Sequence, residues 1–309
     1  MSKGRGCLKN GCLGCLGVVV LLALILGANA IIVMKNNGNE RIEDRVVGTE
    51  AGAQNTPEAI VDLAPAEVDK PEAGKGWLIL ELAQGEFQLH PGEPGEGVVV
   101  KANYDSSTYE LLEYSHTWPD SAWVYHVDFH RTISGLQATL REVMGGNHRP
   151  SLHVYIPPDL PLELNILVKE GGMEADLGGL WLTDVDLRYN KGGFSLGFDE
   201  PLREPLNSLS IKGKMGGAEV RGVGNASPAR LDVDCTMGGM ELDLHGAWSR
   251  DCDARVKVFM GGMQVNVPDN IDLEGPGLES GGLKRTDDEI ARPVLRLEQQ
   301  AKAGEIEIQ

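Results

Sequence analysis

The sequence predicts an all-β protein: a single-domain β-solenoid with rungs of about 22 residues, standing behind one N-terminal transmembrane helix. Three observations predict it. Five Gly-Gly pairs recur between residues 171 and 262, at intervals of 21, 24, 22 and 23 residues. Apolar residues alternate with period two on both sides of each pair, the signature of strands with one buried face. Residues 16–34 form a nineteen-residue run whose sole polar member is Asn29, long enough to span a bilayer as a helix. A period in the twenties belongs to arrays whose repeats cannot bury their apolar faces alone, and it points away from an enzyme.

In chain order, residues 1–15 read as a cytoplasmic stub, because Lys3, Arg5 and Lys9 precede the apolar run with no acid nearby. Residues 16–34 read as the transmembrane helix or uncleaved signal anchor. Ala28-Asn29-Ala30 has the small-x-small form of a cleavage site, but Ile31 to Met34 continue the run beyond it, and both readings export the same domain. The expected location is therefore the cell membrane, single-pass, with the C-terminal domain periplasmic or extracellular. Cys12 and Cys15 make one C-x-x-C beside Cys7, without the fourth ligand of a structural zinc site, so reduced thiols are expected. Residues 35–75, rich in Glu, Asp, Ala, Pro and Asn, read as a disordered acidic linker.

Residues 76–309 hold the expected extracytoplasmic β-solenoid, with a less regular part at 93–150. Leu80 and Leu82 precede Gly85-Glu86, with Phe87 and Leu89 following at the offsets of the main repeat. Gly304-Glu305 is followed likewise by Ile306 and Ile308, and its distance of 43 residues from Gly261 leaves room for about two rungs. Within the irregular part, Val98-Val99-Val100 and Trp123 to Phe129 look like strands, while Ser134 to Val143 suits a short helix or a loop.

The glycines expected to turn the chain are Gly171, Gly172, Gly192, Gly193, Gly216, Gly217, Gly238, Gly239, Gly261 and Gly262. Before them stand inward residues such as Ile166 and Val168, Leu187 and Tyr189, Val233 and Cys235, and Val256 and Val258. After them stand Met173 and Ala175, Phe194 and Leu196, Met240 and Leu242, and Met263 and Val265. Gly213 and Gly222 take inward positions around Gly216, so that repeat should be thinner. Met215, Met237 and Met260, just ahead of three of the pairs, are expected to fill a corner by packing rather than to bind metal or copper. Whether Cys235 pairs with Cys252 is left open.

Outward positions carry mixed charge. Glu219 and Glu241 would stack on adjacent rungs, yet the nonapeptide of calcium-binding β-rolls is missing. Arg188, Lys212 and Lys257 share an outward column that Asp234 interrupts, the one basic stripe that would suit an anionic polysaccharide. Net charge is −18, and −22 over residues 36–309, which excludes nucleic acid as a partner recognised by bulk charge. The strongest candidates for chemistry are His126, Asp128 and His130, which alternate and would share one face of a strand as a weak metal set, with His148 and His153 near in sequence.

The string Leu152-His153-Val154-Tyr155-Ile156-Pro157, then Leu160-Pro161-Leu162-Glu163-Leu164 and Gly171-Gly172, resembles the adhesin-like, or toast-rack, domain family of bacterial envelope proteins. Val256-Lys257-Val258-Phe259-Met260-Gly261-Gly262-Met263-Gln264-Val265-Asn266-Val267-Pro268 resembles the C-terminal domain of LiaF-type proteins of the cell-wall antibiotic response. The resemblance covers residues 150–309 and implies a β-solenoid outside or beside the membrane, regulatory or of unknown role, with no catalytic residues to carry over. LiaF-type proteins bring several membrane helices, where this chain shows one. The expected function is a non-enzymatic, membrane-anchored interaction or scaffold module with a protein partner in the envelope, modulating a stress response, and with no cofactor. The alternatives are a polysaccharide-binding or polysaccharide-cleaving β-helix protein, or a metal-binding protein using His126, Asp128 and His130.

Overall fold

The computed structural model describes residues 41–49, 71–135, 137, 148–276 and 292–309. Period-two alternation makes nearly all of them strand. The strands are β1 (Ile42–Gly48), β2 (Gly76–Pro91), β3 (Val99–Asp105), β4 (Tyr109–Thr117), β5 (Trp123–Arg131), β6 (Ser151–Ile156), β7 (Leu162–Asp176), β8 (Leu182–Tyr189), β9 (Gly192–Gly197), β10 (Ser208–Gly213) and β11 (Gly216–Arg221). After the four-residue helix α1 (Val223–Ala226) come β12 (Arg230–Asp243), β13 (Cys252–Asn266), β14 (Asp272–Glu274) and β15 (Val294–Ile308). All fifteen belong to one sheet.

Equivalent positions of successive repeats pair in parallel and in register. Gly171 lies opposite Gly192, Gly192 opposite Gly216, Gly216 opposite Gly238, and Gly238 opposite Gly261. The two weaker repeats join the same column, Gly85 opposite Gly171 and Gly304 opposite Gly261. The inward residues are the core: Ile166, Leu187, Ile211, Val233 and Val256 are all at most 3% exposed. A one-residue slip would turn this set to water, which is why the register holds across so many strands.

Only the first glycine of each pair is sterically required. Gly171, Gly192, Gly216, Gly238 and Gly261 have φ between 127° and 136°. A Cβ on any of them would stand 1.6–2.0 Å from the carbonyl oxygen of the preceding glycine in the column. Their partners Gly172, Gly217, Gly239 and Gly262 have nothing within 4 Å of the same point. The pair is also not a turn between strands in β7, β12 and β13, which run unbroken through it. It bends one strand, and the column of carbonyls and missing side chains lets neighbouring bends nest.

The expected solenoid is corrected by the pairing pattern. β7 and β12 are long enough to pair through both halves, whereas the strands between them are split into β8 and β9, and β10 and β11. Pairing therefore runs β7–β8–β10–β12 through the first halves and returns β12–β11–β9–β7 through the second. The six parallel strands form a closed barrel-like ring with extra strands attached, and an open single-domain solenoid is not what is seen. The chain also divides into two compact units rather than one.

Of the described residues, 44–49, 71–103, 110–130, 149–276 and 292–309 form the larger unit, which holds the ring. Beyond β2 in this unit lie β5 and β6, parallel to its first and second halves. The stretch after β2 thus returns to the far side of it, while β7 takes the near side. In place of two rungs between Gly261 and Gly304, β15 pairs directly with β13. The described residues of the smaller unit are 41–43, 104–109, 131–135, 137 and 148. In it Asp105 accepts hydrogen bonds from the Arg41 and Ser107 amides at 3.1 and 3.0 Å and from the Ser107 and Thr108 hydroxyls at 2.7 and 2.9 Å. Burial acts to raise the Asp105 pKa, but these bonds outweigh it and hold the carboxyl below its usual range.

The expected single-pass membrane location is likewise corrected. Among the described residues no helix is long and apolar enough to cross a membrane, and α1 has four residues. The run at 16–34, the stub before it and Cys7, Cys12 and Cys15 lie outside the described residues.

The thin repeat around Gly216 is filled from next door. A Cβ on Gly213 would stand 2.4 Å from Cε1 of Tyr189, so the Tyr189 ring takes the vacated space. That ring also meets Phe194 edge-to-face at 4.9 Å. Cys235 and Cys252 are both buried and free, which settles the open pairing.

Candidate interaction face

The outward side chains of β12, β13 and β15 are placed by the same register that packs the core. Between inward Leu231, Ala254 and Leu297, at most 3% exposed, the strands hold charged residues directly opposite one another. One row reads Arg230, Asp253, Arg296 and, on β14, Glu274. The next reads Asp232, Arg255, Glu298. Charge alternates along each row and between rows, so each group has opposite charge beside it about 5 Å away. These two rows, with Gly275 and Pro276, line a groove of about 510 Å³.

Arg296 organises one wall. Its guanidinium lies 3.0 Å from Asp251 Oδ2, 3.4 Å from Asp253 Oδ1 and 3.9 Å from Glu274 Oε2. The Val294 amide and Arg296 hold the Asp251 carboxyl below its ordinary pKa, and Asp251 and Asp253 raise that of Arg296. Among the described residues, Arg230, Asp232, Arg255 and Glu298 have no ion-pair partner within 4.0 Å. Further along the second row, Asp186 Oδ1 and Ser210 Oγ are buried without a hydrogen-bond partner. The face therefore offers charged and polar groups in fixed register that the fold does not use up.

The residues singled out in the sequence fall elsewhere. His126, Asp128 and His130 do share the outward face of β5. Each imidazole faces carboxylates: His126 Nε2 is 3.7 Å from Glu81 Oε1, and His130 lies 3.4 Å from Glu110 Oε2 and 3.2 Å from Asp128 Oδ2. Among the described residues no three His, Cys, Asp or Glu side chains come together to hold a metal ion. His153 does not join them; it stacks on His90 at 6.3 Å. Arg188, Lys212, Asp234 and Lys257 do fall in one column, with the acid in its midst.

The methionines expected to fill a corner are out of it. Met215, Met237 and Met260 are 48%, 40% and 43% exposed, with Phe259 beside them at 45%. The groove itself escaped the sequence reading because its rows exist only once β13 is known to pair with β15 across 27 intervening residues.

No protein-family model matches the chain, and no curated protein matches it. Among solved structures it is similar to a candidate cell adhesion protein from Clostridium sporogenes, at 13% identity and a TM-score of 0.40, over 87% of this chain and 99% of the other. It is also similar to a candidate adhesin from Bacteroides fragilis, at 7% identity and a TM-score of 0.27, over 88% of this chain and 98% of the other.

Proposed function

We propose that this chain is a non-enzymatic interaction module that presents the charged groove of β12, β13 and β15 to a protein partner. The observation that carries the reading is the register-matched array in which Arg230, Asp232, Arg255 and Glu298 keep their charges free of ion pairs among the described residues. Complementary charges on a partner would select it and speed its encounter more than they would add raw affinity. In its finer form, following the resemblance of residues 256–268 to LiaF-type proteins, the partner belongs to the envelope response to cell-wall damage.

A photo-crosslinking amino acid at Glu298, in cells with and without a cell-wall-active antibiotic, tests this. One envelope protein captured reproducibly, with capture lost in the Arg255→Glu variant and changed by the drug, is the expected result. Capture indifferent to Arg255→Glu overturns the groove as the site, and turnover of any envelope polymer by purified protein overturns the non-enzymatic reading.

A further inference from the structure

Met215, Met237 and Met260 each stand one residue before the first glycine of a pair. Met237 lies directly opposite Met260, and Gly216 opposite Gly238, which sets Met215 beside Met237. The three Cα atoms therefore follow one line across neighbouring strands, about 4.8 Å apart at each step. The same strands carry two other methionines, Met240 and Met263, on the inward side, and these are 5% and 3% exposed. One residue type thus occupies two environments. The inward pair fills the core, while the outward three expose 40–48% of their surface and gain little from packing.

We propose that Met215, Met237 and Met260 form a thioether site for a soft monovalent ion, Cu(I) or Ag(I). A thioether is neutral at every pH and polarisable, so it selects soft ions and rejects hard divalent ones such as calcium or magnesium. With metal–sulfur bonds of about 2.3 Å, as for zinc and thiolate, three sulfurs around one ion stand about 4 Å apart, close to the strand spacing. Methionine has three rotatable side-chain bonds, so the outer two can lean toward the middle one while the backbone stays fixed. The backbone is fixed by the glycine column directly behind the three residues. The line ends on both sides in residues without sulfur: Lys191, drawn to Glu170 at 2.6 Å, next to Met215, and Ala303 opposite Met260. That limits the site to one ion.

The test uses the full chain with Cys7, Cys12 and Cys15 replaced by Ser, so that their thiols do not compete. Titration with Cu(I) against a chromophoric Cu(I) chelator, without oxygen, should give one equivalent bound. Ag(I) titration of chain labelled at the methionine methyl groups should shift three methyl signals, those lost one at a time in Met215→Leu, Met237→Leu and Met260→Leu, and leave those of Met173, Met240 and Met263 in place. Met237→Leu, which removes the central ligand, should weaken Cu(I) at least tenfold, and the triple leucine variant should abolish binding with an unchanged far-ultraviolet spectrum. Binding retained within twofold in Met237→Leu and also in Met260→Leu, or shifts confined to other methionines, would overturn the proposal. So would the absence of a one-equivalent step in the parent chain.

Discussion

Two adjacent alanine substitutions should have opposite consequences. At Gly238 φ is +136°, and a Cβ would lie 1.8 Å from the Gly216 carbonyl oxygen, where real contacts begin near 3.0 Å. Forcing a side chain into that backbone region costs about 1–3 kcal/mol. The obstructing atom is backbone, so relief requires β12 to move away from β11 and lose at least one ladder hydrogen bond, about 1 kcal/mol more. Gly238→Ala should therefore destabilise by about 3 kcal/mol. At Gly239 the same Cβ meets nothing within 4 Å, so Gly239→Ala should change stability by less than about 0.5 kcal/mol. Urea unfolding followed by tryptophan fluorescence, in both variants and the parent, reads the difference. By calorimetry it corresponds to a gap in Tm of about 6–12 °C. If the two variants fall within about 1 kcal/mol of each other, the nested glycine column does not constrain the fold as argued.

Other consequences follow from buried groups. Burial pushes the Cys252 thiol up to about 12 and the Tyr189 phenol to about 12, from ordinary values of 9.0 and 10.0. Both groups bind their protons more tightly folded than unfolded, so their contribution is intact below pH 9 and is lost as pH rises from 9 toward 12. The urea midpoint should fall over that window, less steeply in Cys252→Ala; parallel profiles for the two proteins would refute the assignment. Trp248 donates from Nε1 to the Leu244 carbonyl at 2.7 Å in a buried corner, so Trp248→Phe should cost about 1–3 kcal/mol by urea unfolding. Arg255→Glu, which sets a third acid between Asp232 and Glu298, should cost no more than about 1 kcal/mol by urea unfolding while abolishing crosslinking from Glu298, because exposed ladder charges contribute little to folding.

What the sequence made legible was whatever depends on a residue's own face. Period two assigned Leu187, Val233 and Val256 inward and Arg188, Asp234 and Lys257 outward, and all of these fall as read. The offsets of Leu80 and Phe87 around Gly85 placed that strand in the glycine column before any pairing was known. Neighbourhood was not legible, because alternation says which way a side chain points and nothing about which strand lies beside it. Hence Trp123 to Phe129 reads as a strand inside the less regular part at 93–150 and Leu152 to Ile156 as an alternating string after it, but neither reading places β5 or β6 beside β2, which both flank in parallel. Likewise β1, short and half polar, was absorbed into a linker by composition. The exposed methionines show the same limit from the other side. Their apolar character suggested packing, but the position before the bend turns them outward on every strand that carries one.

The division between the two faces explains how this chain can keep its register while varying its surface. Inward residues and the first glycine of each pair fix strand spacing, and where one repeat lacks bulk at Gly213 the ring of Tyr189 restores it from the neighbouring strand. Outward positions carry no such duty. Arg296 touches Asp251, Asp253 and Glu274, yet it and its partners are half-exposed or more, and ion pairs so placed are screened by solvent and salt. A fold that needs little from these charges can hold them in any pattern a partner requires. The alternation of Arg230, Asp253, Arg296 and Glu274 beside Asp232, Arg255 and Glu298 adds little to stability, and on the function proposed above it serves recognition.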